Sequence, residues 1–242
     1  MTDFQADAVS PEAGAVPTAR QQSLVRAAAR ALSRAGLVHA YGHCSLRLDA
    51  DAFLVCAARP MGLIDPTEDG VVVPVKGELP DGVLGEVRIH QQIYQRRPDV
   101  QSVIRSMPRD VMTLSAAGIT PSPRHGMGSY FSPGVPLWQD PQLIRTEAQA
   151  AGVADALGTG PAVVMQGNGT VIAASSIEEA VVLTWYLEDA ARIELQLRAA
   201  GLADAPGLTP DQCAQRATRA GRIFERMWEY LCAGDPEFAE VL

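Results

Sequence analysis

The 242-residue chain has no apolar run near the roughly 18 to 20 residues needed to span a bilayer, and no basic-then-apolar pattern at its start. These two absences lead to the expectation of a cytoplasmic protein with no membrane partner. There is no run of Lys or Arg either. Twenty basic residues stand against 28 acidic ones, a net charge of −8, so polyanions are repelled and no nucleic-acid partner is expected. The four cysteines, Cys44, Cys56, Cys213 and Cys232, lack zinc-ribbon or C-x-x-C spacing and read as reduced thiols. No internal repeat is visible. What is present, 47% hydrophobic and 20% charged residues, suits one α/β domain of ordinary core size.

Residues 1–18 are rich in Ala and Pro without periodicity, and predict a disordered tail. A domain is expected over 19–202, followed by a linker and helix over 203–242 that pack on the same domain or on a neighbouring subunit. From Gln21, Leu24, Val25, Ala28, Ala31 and Leu32 recur at helical spacing, with Gly36 as a stop. Alternation at Cys44, Leu46 and Leu48, the run Phe53 to Cys56 and the β-branched Val71 to Val75 predict strands. Glu86 to Arg96 reads as a helix feeding a buried strand at Val100 to Ile104. Further helices are expected at Met107 to Ala117, Gln142 to Leu157, Ser176 to Ala200 and Pro210 to Leu231. A short strand is expected at Val135 to Leu137, and a hairpin at 162–173 closed around Gly167, Asn168 and Gly169. Elements in this mixed order predict an α/β layer with a mainly antiparallel or mixed sheet.

Four segments in order carry a family resemblance: Tyr41-Gly42-His43-Cys44-Ser45; Gly85-Glu86-Val87-Arg88-Ile89-His90 with Arg97-Pro98-Asp99-Val100; Val103-Ile104-Arg105-Ser106-Met107-Pro108; and Met165-Gln166-Gly167-Asn168-Gly169. Over about 21–201 the chain resembles the class II aldolase/adducin family. The resemblance implies a three-layer fold, with a mainly antiparallel or mixed sheet flanked by helices, and a homotetramer with sites at subunit boundaries. It also implies a divalent metal on three histidines, a His-x-His pair and a His-Gly, with a carboxylate from the preceding helix moving the proton.

At those positions this chain has Arg105, Met107 and Asn168. A guanidinium cannot coordinate a cation, a thioether is soft and an amide carbonyl is weak, so no metal and no other cofactor is expected. Glu86 falls on the family's acid/base carboxylate, and His90, one helical turn later, is expected on the same helix face. Arg105 is expected either to anchor an anionic oxygen in place of the metal or to pair with Glu86 in a closed pocket. The family's phosphate-binding Thr-Pro-Ser-Gly corresponds to Ala57-Ala58-Arg59-Pro60, its Ser-Ser to Leu84-Gly85, and the Asn of its Gly-Asn to His43, which disfavours a phosphorylated substrate. Arg59 suits a carboxylate instead.

His43 and His125 complete the acid/base candidates; the resemblance implies that His125 reaches a neighbouring subunit's site, and the alternative is a surface-loop position. Asn168, Met107, Tyr130 and Trp138 are candidate substrate contacts, although the two aromatics equally suit a core or an interface, and Gly167-Asn168-Gly169 is a turn first. The expected activity is a metal-independent lyase, a decarboxylase or retro-aldol enzyme, on a small carboxylated, non-phosphorylated, possibly aromatic substrate. The alternatives are a non-catalytic scaffold of the adducin type, or a metal-free isomerase, dehydratase or cofactor-independent oxygenase.

Overall fold

The computed structural model describes residues 15–242; most of the tail expected over 1–18 lies outside them. Thr18 already caps the first helix, α1 (Ala19–Arg34), in a reciprocal pair with Gln21. Strands β1 (His43–Arg47), β2 (Ala52–Val55), β3 (Val71–Pro74), β4 (Ser102–Ser106), β5 (Leu137–Trp138), β6 (Ala162–Met165) and β7 (Gly169–Ala174) form one sheet in the order β3-β2-β1-β4-β7-β6-β5. Among the described residues only β5 and β6 pair in parallel; every other pairing is antiparallel.

Alternation along the strands divides the core into two layers. Cys44, Leu54, Ile104, Val164 and Ile172 face α1, α3 (Arg109–Ala116) and α5 (Ile177–Ala199), while Phe53, Val73, Val103, Val163 and Val171 face α2 (Arg88–Arg96) and α4 (Glu147–Leu157). His43, Ser45 and Arg105 belong by the same alternation to the α2 side. Two short helices, α6 (Pro210–Arg216) and α7 (Ile223–Cys232), follow, with a last turn, α8 (Phe238–Val241). The C-terminal segment lies across α1: Arg26 and Arg30 bind Glu237, and Arg30 and Arg34 bind Asp235. No helix among the described residues is long and apolar enough to cross a membrane.

Four local expectations need correction. Pro210 to Leu231 is not one helix, because the chain breaks over 217–222, where Gly221 and Arg222 both take positive φ. Helix α4 starts at Glu147 rather than at residue 142, because Thr146 and Gln149 form a capping box. The short strand lies at 137–138, and the hairpin turn is centred on 166–168, since Met165 already pairs with Gly169.

Candidate active site

The site lies at one end of the central strands. Arg105, on β4, stands directly opposite His43, on β1, so both side chains leave the same face of the sheet. Two glycines permit the crowding there. A side chain on Gly42 would meet the Arg105 carbonyl, and one on Gly169 (φ +96°) would strike the Ser106 carbonyl, so the turn at 166–168 can lie against the end of β4. That close approach brings Asn168 to Arg105.

A cleft of about 630 Å³ opens in front of these strands. His43, Arg59, Glu86, Arg105, Met107 and Asn168 line it, as do Tyr41, Leu84, Leu143 and Arg145, which the sequence reading did not single out as site residues. Arg105 is almost wholly buried, with a side chain only 2% exposed, and its Nε lies 3.3 Å from Glu86 Oε2. Its Nη2 donates to Asn168 Oδ1 at 2.8 Å, but Nη1 is buried with no partner. Burial pushes the guanidinium down from its ordinary value and the Glu86 charge partly restores it. The ion pair and the open cleft therefore coexist; pairing with Glu86 has not filled the pocket. Glu86 Oε1 also accepts from the backbone N–H of Ile144 at 3.4 Å. Arg59, at the exposed mouth, pairs with Glu68 at 2.6 Å.

His90 does not face Glu86 as expected. Glu86 sits in the tight turn Gly85–Val87 ahead of α2, with its carboxylate turned to Arg105, whereas His90 points into the sheet. There its Nε2 meets His43 Nδ1 at 2.7 Å and its Nδ1 meets Ser45 Oγ at 2.6 Å, and Ser45 Oγ meets the Tyr94 hydroxyl at 2.8 Å. Burial drives the His90 imidazole down to about 3. His43 is held well below its ordinary value by burial first, then by His90 and Arg105. His43 Nε2 is buried without a partner.

Tyr130 and Trp138 are not cleft residues of this chain. The Tyr130 ring packs on Tyr186 and Phe224 and its hydroxyl donates to the Thr218 carbonyl, while the Trp138 ring lies over Gly152 of α4. Both are half-buried and pack against the hydrophobic core, Tyr130 on the side of α1 and α5 and Trp138 on the side of α2 and α4. His125 also lies outside its own chain's cleft, 2.7 Å from Asp189. The four cysteines are buried and free.

Among the described residues no group of three His, Cys, Asp or Glu side chains is placed to hold a metal ion. At the three positions of the family's histidines, a guanidinium, a thioether and an amide face the cleft. That donor set does not fit a divalent metal.

Residues 23–195 match the class II aldolase and adducin N-terminal domain. With this match, and with a fold of the same order and layers, the chain belongs to the class II aldolase and adducin family. It is 31% identical over 206 residues to a 3,4-dihydroxyphthalate decarboxylase of Terrabacter sp., covering 77% of this chain and 85% of the relative. Among solved structures it is similar to L-fuculose-1-phosphate aldolase from Thermus thermophilus, with 27% identity, a TM-score of 0.69, and coverage of 79% of this chain and 100% of the other. An aldolase II superfamily protein from Pseudomonas syringae superposes with a TM-score of 0.75 at 23% identity and 92% coverage of both chains, a likeness of fold alone.

Proposed function

We propose that the chain is a lyase that removes carbon dioxide from a small, non-phosphorylated aromatic carboxylate without a metal. The observation that carries this reading is the buried Arg105, which lines an open cleft beside Glu86 and whose buried Nη1 has no hydrogen-bond partner among the described residues. A guanidinium with an unused N–H is an anion receptor, and a carboxylate is its natural ligand. Support comes also from the relative named 3,4-dihydroxyphthalate decarboxylase and from Arg59, Leu84 and Gly85, which line the cleft at positions where sugar-phosphate enzymes of the family carry serine hydroxyls. The Tyr41 ring and the Leu84 and Leu143 side chains give the cleft an apolar border suited to a planar ring.

In this reading Arg105 holds the substrate carboxylate, with Asn168 and Met107 packed beside it and Arg59 at the mouth. Glu86 begins as the carboxylate of its ion pair and so acts first as a base, taking the proton of a ring hydroxyl. It then returns that proton to the ring carbon that bears the carboxylate. The carbon–carbon bond breaks, its electron pair restores the aromatic ring, and carbon dioxide leaves. The product phenolate takes up one proton from water, so one proton is consumed per turnover. His43 assists at the cleft wall. His90 acts only through His43. Assembly as a homotetramer, with His125 reaching a partner's cleft, belongs to the same proposal, and sedimentation velocity tests it.

The direct test is carbon dioxide release from 3,4-dihydroxyphthalate and simpler hydroxybenzoates by chelator-treated protein. Turnover is expected without added metal, and Glu86→Gln should lower it by about a thousandfold with fold and oligomer intact. Turnover unchanged in Glu86→Gln would remove that residue from the role. An unresponsive protein across the whole panel would favour the scaffold alternative.

A further inference from the structure

Behind the cleft wall, four buried polar side chains form a single file: His43, His90, Ser45 and Tyr94, joined at 2.7, 2.6 and 2.8 Å. Each link needs one donor and one acceptor, so one fixed end determines the polarity of the whole file. The blind end is fixed. Among the described residues Ser45 Oγ is the one acceptor within reach of the Tyr94 hydroxyl, and a buried O–H left without an acceptor is costly. Tyr94 therefore donates to Ser45.

Ser45 then has one hydrogen to place. His90 Nδ1 lies at 2.6 Å and the Val103 carbonyl at 3.5 Å, so the hydrogen goes to His90. With Nδ1 accepting, a neutral His90 carries its hydrogen on Nε2 and donates it to His43 Nδ1. A neutral His43 must then carry its own hydrogen on Nε2, which is buried without a partner on a side chain that lines the cleft. Across the β1–β4 pair stands Arg105, with Nη1 equally unpartnered. Two orphaned donors on neighbouring strands make a site for an anionic oxygen.

We propose that His43 Nε2–H and Arg105 Nη1 together bind one oxyanion of the ligand, and that Tyr94, Ser45 and His90 are positioning residues that hold His43 in the donor tautomer. The ligand class, a carboxylate, rests on the proposed function; the hydrogen positions do not. The opposite tautomer would aim a lone pair at the same anion and repel it, leaving His43 fit only as a base. The charged and titratable groups that act on His43 are His90 and Arg105, and both oppose a second proton on it; Glu86, which lines the same cleft, is paired with Arg105. The donor should therefore keep its form through the working pH range.

The test is long-range ¹H–¹⁵N correlation on protein labelled at its four histidines, with His43→Gln used for assignment and benzoate as the probe ligand. His43 is expected as the neutral Nε2–H tautomer between about pH 5 and 8, with that proton shifted and protected from exchange when benzoate binds. Tyr94→Phe, and independently Ser45→Ala, should convert His43 to a mixture of tautomers and weaken benzoate binding by about threefold to tenfold. A hydrogen on Nδ1 in the wild type, an imidazolium forming near neutral pH, or benzoate leaving the Nε2–H signal untouched would each overturn the proposal. Failure to decarboxylate any aromatic acid, with these signals as expected, would count against the proposed function and leave the oxyanion site standing.

Discussion

Two sets of buried arginines in this molecule differ in how far their N–H groups are satisfied. On α1, Arg26 and Arg30 have an acceptor at every guanidinium nitrogen: Glu237, Asp69 and Ser23 for Arg26; Asp235, Glu237 and the Ile64 carbonyl for Arg30. Arg105, on the central strand, has one hydrogen bond, to Asn168, and an ion pair, while Nη1 has nothing. The residue type and the degree of burial are alike. A saturated guanidinium locks the C-terminal segment to α1 and leaves no valence for a ligand. In the proposed reading an unsaturated one, on a residue that lines a cleft, is a receptor, because a buried donor without a partner is tolerated only where something else supplies the acceptor.

Exchanging the two fates by mutation sharpens the contrast. Arg105→Gln should lower kcat/KM for an aromatic acid by about a hundredfold to a thousandfold, with little change in thermal midpoint, in steady-state kinetics beside a melting curve. Arg30→Met should do the reverse. It strands Asp235 and Glu237 in a buried setting and is expected to cost about 3–5 kcal/mol in denaturant titration, while kcat per folded molecule stays the same.

Acid separates the regions by pH. Burial alone would raise Asp235 and Glu237, but hydrogen bonds from Arg30 and Arg34, and from Arg26 and Arg30, outweigh it and hold both below their ordinary 3.8 and 4.5. Their contribution is complete above those values and is lost as the pH falls through the depressed ones. His90 is held near 3 against an ordinary 6.5, so the unfolded chain takes up its proton first. Stability from the imidazole pair is complete above 6.5 and drains as the pH falls from there toward about 3. The thermal midpoint should thus begin to fall below pH 6.5, before the C-terminal lock responds, and His90→Gln should make that first limb shallower. The smallest effect is expected at the mouth. Arg145→Gln should raise KM about threefold to fivefold at low salt with kcat unchanged, since an exposed charge contributes little and is screened.

Much of this arrangement was legible in the sequence as faces rather than as partners. His43 and Ser45 are two apart in a strand, and His90 and Tyr94 four apart in a helix, so each pair shares a face. That β1 and α2 turn those faces toward each other is a tertiary fact, and it drew His90 away from Glu86. The substitutions Arg105, Met107 and Asn168 were readable from the motifs that carry the family resemblance. Arg145 and Leu143 were missed because 142–157 reads as one helix; the Thr146-x-x-Gln149 capping box was the local sign that 142–146 precedes it and borders the cleft. Tyr130 and Trp138 went the other way, since aromatic identity says nothing about which layer a ring fills.

The central claim is that the open guanidinium, rather than a metal, receives the substrate's carboxylate. Titration calorimetry of 3,4-dihydroxyphthalate into chelator-treated wild type and Arg105→Gln tests it most directly. Binding by the wild type without metal, weakened by about a hundredfold or more in Arg105→Gln, is the predicted result. Equal affinity in the two proteins, or binding that appears only after a divalent metal is restored, would contradict it.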